Sequence, residues 1–135
     1  MADPTGVVYG KPETISLTCD TDLSEKEGFA VNLDTTDEKN VNLAAAATAF
    51  PFPLLEGADG DTGAKKVITV IVAGWAKLKA GAAILPGDKL TADSDGKWVP
   101  TASNGEHYGA IAFEIGATND LIIAKVVQGV DNVAY

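Results

Sequence analysis

The segment VIVAGWAKLKAGAAILPGDKLTA, residues 70–92, decides how the rest of the chain is read. Its upstream end belongs to a run, Lys66–Ala73, that is apolar on both faces: Val67, Ile71 and Ala73 alternate with Ile68, Val70 and Val72. At strand length and rich in β-branched residues, this run predicts a central strand covered on both sides. Gly74 interrupts it. Beyond the glycine, Trp75, Lys77 and Lys79 share one face and Ala76 and Leu78 the other, because strand side chains alternate. A tryptophan beside two lysines on a polar face suits an interface anchor with a charged rim. A loop of the same chain capping Trp75 would produce the same pattern, and both readings stand.

Downstream, Ser94-Asp95-Gly96 fits a three-residue hairpin, a type I turn followed by glycine in the left-handed region. That register sets Ala92 opposite Trp98 and Leu90 opposite Pro100, which places Trp98 in the core. A two-residue Asp95-Gly96 turn would put Val99 there instead. Further apolar runs follow: Ile111, Phe113 and Ile115 alternate with Ala110, Ala112 and Glu114, and Leu121–Val127 is interrupted only by Lys125. Thr118-Asn119-Asp120 turns between them.

Upstream, Ile15–Thr18 predicts a short strand, and Phe29, Val31 and Leu33 a half-buried one. The four alanines within Leu43–Phe50 favour helix. That run is near two turns long with no polar face, and Pro51 and Pro53 stop it. One short helix is the most it can give. Residues 1–14 lack hydrophobic periodicity and contain Pro4, Gly6, Gly10 and Pro12, the pattern of an extended arm. Its one apolar patch, Val7-Val8-Tyr9, suits either a loose terminus or an edge strand added to a neighbouring subunit. The expected architecture is mainly β: a compact small β-barrel or sandwich over residues 15–135, preceded by the arm.

Composition narrows the function. The 135 residues carry 19 acidic and 10 basic side chains, a net charge of −9. Phosphate-tracking proteins cluster their cations, and these are scattered, so nucleic acid is not an expected partner. The longest apolar run, Val67–Ala76, is about half of what a membrane-spanning helix needs. The amino-terminal sequence has neither the basic nor the apolar region of a secretory signal, so synthesis and folding in the cytoplasm are expected. The lone Cys19 excludes an internal disulfide and a paired-cysteine metal site, and reads as a small buried thiol.

Nothing is arranged for catalysis. Covalent catalysis needs a nucleophile, a base within reach and a group orienting that base. His107, the one imidazole, lies in the polar loop SNGEHYG with no partner motif. Asp59-Gly60-Asp61-Thr62-Gly63 and Asp93-Ser94-Asp95-Gly96 look like pieces of a calcium loop. The twelfth positions, Val70 and Asn104, lack the glutamate such a loop requires. No glycine-rich phosphate cradle follows a strand and opens a helix. No enzyme activity, cofactor or metal is expected. A carbohydrate-binding module would need exposed aromatic residues, and only Trp75, Trp98 and the tyrosines could serve.

The order of these blocks resembles the cement, or head-decoration, proteins of tailed bacteriophages. The resemblance covers about Phe29–Val127 and is carried by Gly74-Trp75-Ala76-Lys77-Leu78, Ala80-Gly81, Ile84, Gly87-Asp88-Lys89-Leu90-Thr91, Asp93 and Gly96-Lys97. Gly109–Glu114 and a final apolar strand, Leu121–Val127, continue it. The chain departs from the pattern at PFPLLEG and at Met1–Thr18. The resemblance implies a virion protein on the outer surface of an expanded capsid, at three-fold and quasi-three-fold positions. Its partners there would be the major capsid protein and, in a homotrimer, itself. Val7, Val8, Tyr9, Trp75, Lys77 and Lys79 are the candidate contacts. A tail, baseplate or fibre-associated phage adaptor, or a small carbohydrate-binding β-module, is the alternative.

Overall fold

The computed structural model describes residues 11–45, 49–103 and 105–131. Among them are nine strands and no helix: β1 Glu13–Cys19, β2 Ala30–Leu33, β3 Asn40–Leu43, β4 Phe52–Glu56, β5 Lys66–Lys79, β6 Lys89–Ala92, β7 Trp98–Pro100, β8 His107–Ala112 and β9 Leu121–Val130. The mainly β expectation holds. Leu43, where the short helix was expected to begin, ends β3 instead, and residues 46–48 lie outside the described residues. β1 starts at Glu13, two residues inside the segment read as an arm.

The 14 residues of β5 organise everything else. Its first half pairs antiparallel with β1, from Glu13–Ala73 to Cys19–Lys66, and with β4 at Leu54–Val70. β4 pairs with β2, β2 with β3, and β3 runs parallel to β1. The five strands therefore close into a ring, which leaves no open edge to recruit another chain. Cys19, Leu23, Val31, Val41, Leu54, Ile68 and Val70 fill it. The expectation of cover on both faces holds for the middle of this run, where Ile68 and Val70 fill the barrel and Ile71 enters the second core, and fails at its start, where Val67 is 68% exposed.

Past Gly74 the strand leaves this ring and enters a second sheet. There β5 pairs with β9, from Gly74–Val126 to Lys79–Leu121, and β9, β8, β6 and β7 follow in order. A parallel bridge between Ala80 and Trp98 brings β7 back to the end of β5, so this sheet also nearly closes. Its core sets Trp98, Leu78, Ile84, Leu90 and Ile122 among alanines 76, 80, 92, 110, 112 and 124. One large indole needs small neighbours if the interior is to pack without voids. Ala110 and Ala112 point inward while Phe113 and Ile115, beyond the end of β8, are 52% and 74% exposed.

The hairpin adopts the three-residue register, with Leu90 opposite Pro100 and Ala92 opposite Trp98, and Gly96 at φ 78°. Trp98 is fully buried, and its Nε1 donates to the Gly28 carbonyl at 3.0 Å. The same carbonyl accepts from Lys79 N at 2.9 Å. Gly28 N in turn donates to Leu54 O at 2.8 Å, so one residue couples the two cores.

Candidate interaction surface

Residues directly opposite in an antiparallel pair lie on the same face, so the outer surface of the second sheet can be built from its register. Trp75 faces Lys125, and Lys125 faces Ile111; Lys77 faces Ile123, and Lys79 faces Leu121. Trp75, Lys77 and Lys79 thus stand on one face, with Ala76 and Leu78 buried behind them, as alternation requires. The half-buried Trp75 ring meets Phe113 edge to face, with centroids 4.7 Å apart and planes at 79°. Phe113 supplies a side wall from the same chain.

An open groove of about 940 Å³ runs beside this face. Leu55, Trp75, Leu121 and Ile123 contribute apolar surface, and Lys11, Lys77, Glu27 and Glu114 carry its charges. Leu55 is 39% and Leu121 57% exposed. The sequence did not single out Lys11, Leu55, Phe113, Leu121, Ile123 or Lys125. The period of β9 groups Leu121, Ile123 and Lys125, but only the cross-strand register joins them to Trp75. Val7, Val8 and Tyr9 lie outside the described residues.

The other candidate chemistry resolves into local structure. Asp61 Oδ1 accepts from Gly63 N at 2.8 Å, and Asp93 Oδ1 from Asp95 N and Lys97 N at 2.8 and 3.0 Å. Both calcium-like fragments are turns closed by their own aspartates. Asp20, Asp34 and Asp37 come within 4.8 Å of one another, a grouping that sequence spacing did not reveal. Asp34 accepts from Thr36 N at 2.9 Å and from Asn40 Nδ2 at 3.1 Å, and Asp37 is paired with Lys65. The Thr36 backbone bond, then the Asn40 and Thr36 side chains, hold the Asp34 carboxyl down at about 2. The Asp37 carboxylate raises the Lys65 ammonium above its ordinary value. His107 begins β8 with its ring against Phe50, centroids 4.5 Å apart. Cys19 is fully buried.

Two five-stranded β units sharing one long strand define the fold, and the exposed feature it presents is a lysine-flanked aromatic groove. The N base of head fiber gp8.5 of bacteriophage phi29 has a similar fold: TM-score 0.67 and 19% identity, over 85% of this chain and 95% of that one. At this identity the likeness is one of fold. No protein-family model matches the chain, and no curated protein matches it in sequence.

Proposed function

We propose that this chain is a structural virion protein of a tailed bacteriophage. It seats on the outer surface of the expanded capsid, at three-fold and quasi-three-fold positions, and stabilises the head against internal pressure. The observation that carries this reading is the fold shared with a phage head-fiber base over nearly the whole of both chains. The turn-and-strand order that resembles decoration proteins supports it independently. The partners are the major capsid protein and two further copies of the chain, with neither nucleic acid nor membrane involved. No catalytic role is assigned.

The physics of such a role is linkage. A protein that binds only the expanded lattice lowers the free energy of that lattice by its binding free energy. Three footprints joined in one trimer act at high effective concentration, so weak individual contacts suffice. A three-fold contact is heterologous and closes as a ring, which limits growth to three copies.

Expanded heads lacking this protein are the test material. Added protein is expected to sediment with them and to raise the temperature at which they release DNA. Sedimentation with the heads but no gain in heat resistance would favour a second reading, a base that carries a fibre, which the phi29 likeness also supports. Absence of the protein from sedimented heads would contradict both.

A further inference from the structure

The charges around the Trp75 groove are not equivalent. Glu27 Oε2 accepts a hydrogen bond from Gly57 N at 3.0 Å, and Glu114 Oε1 accepts one from Ile123 N at 2.7 Å. Both carboxylates are already held by backbone donors of the same chain. Lys11 and Lys77 form no ion pair among the described residues, and neither do Lys79 and Lys125, which share the outer face with Lys77. These four lysines outnumber Glu27 and Glu114, so the groove and its outer face together carry an excess of positive charge over apolar surface, on a chain whose net charge is −9.

A simple anion would satisfy the lysines and leave Leu55, Leu121 and Ile123 wet. The occupant must bring carboxylates and apolar atoms together. An extended polypeptide does this, because successive side chains point to opposite sides and one set can enter the groove while flanking carboxylates meet its rim. Orientation follows from the same charges. A strongly acidic body approaching an acidic segment is repelled everywhere except through its lysine face.

We propose that the groove beside Trp75 binds an extended acidic and apolar segment of the capsid subunit. This rests on the reading of the chain as capsid-bound and adds the location and chemistry of the contact. Lys11 and Lys77 pair with its carboxylates, and Trp75, Leu121 and Leu55 take its apolar side chains.

The test uses expanded heads lacking the protein and three forms of the chain, with melting temperatures measured alongside. These are the unmodified protein, Lys11→Glu/Lys77→Glu, and Lys66→Glu/Lys97→Glu, an equal charge change at two lysines that do not line the groove. The groove reversal is expected to weaken binding about ten-fold or more and the control less than about three-fold. Raising salt should weaken the unmodified and control proteins more than the groove variant. Leu121→Glu tests the apolar floor separately, at an exposed side chain, and is expected to lose a comparable factor. Equal binding by the groove variants and the unmodified chain would overturn the groove contact and leave capsid binding standing. An equal loss in the control reversal would assign the effect to net charge and overturn it too. Failure of the unmodified chain to bind would remove the capsid reading itself, and the contact with it.

Discussion

Trp98 is the residue on which the second core depends. It is fully buried and anchors its indole N–H on the Gly28 carbonyl 70 positions away. Trp98→Ala is expected to cost about 3–5 kcal/mol in denaturant unfolding, through lost burial and a cavity lined by alanines. Trp98→Phe should cost less. Losses equal to those of an exposed residue would contradict its place in the core. At the surface, Asp34 ties down its own turn through Thr36 and Asn40. Its carboxyl titrates at about 2 in the folded chain and near 3.9 when unfolded, so the folded form binds its proton later. The stabilisation is fully present above pH of about 4 and is lost as pH falls towards about 2. Asp34→Asn should therefore melt below the unmodified protein at neutral pH, with the difference shrinking over that acid window; a constant difference down to pH of about 2 would contradict the coupling. The place of Trp98 was legible because turn chemistry fixed the register, and register fixes the face. The role of Asp34 was not, since its partner Asn40 lies across a loop and aspartate is common in turns for several reasons.

At the scale of elements, Gly74 separates the two duties of β5. It sits at φ 94°, and an added Cβ would lie 3.1 Å from Pro12 Cα. Gly74→Ala would have to strain the backbone and push Pro12, just ahead of β1, aside, with an expected loss of about 1–3 kcal/mol measured by chemical unfolding. An unchanged stability would mean that the crossover between sheets does not need this conformation. The strand segments on either side of Gly74 were readable from β-branched content and alternation; that they form one unbroken strand was not, since the glycine read as an interruption. Nor was their pairing. β1 lies antiparallel to β5 and parallel to β3, contacts made by closing loops of very different lengths, and composition carries no record of them. The apolar character of Lys66–Ala73 misled only in part: one side lines the barrel and Ile71 on the other enters the second core, but Val67 faces out. In the Ala110–Ile115 stretch the large residues stand outside and the alanines inside, because the core volume is already taken by Trp98.

Across the whole molecule, two packed interiors joined by one continuous strand leave a lysine-bearing aromatic groove on an otherwise acidic body. Trp75, Lys77 and Lys79 could be read from one strand; the rest needed the partner strand β9, Leu55 of β4 and Lys11 just ahead of β1. Assembly should be conditional. Copies of net charge −9 repel one another in solution and are expected to associate when the shell fixes their positions. Chemical crosslinking of decorated heads should then give trimers, and a ladder ending at dimers would contradict the three-fold arrangement. The most direct measurement is an electron cryomicroscopy map of expanded heads incubated with the purified chain. Density matching the two joined β units on the outer surface at three-fold and quasi-three-fold positions, with the Trp75 face against the shell, is expected. Density confined to the tail or portal, or a bare shell at saturating protein, would contradict the assignment.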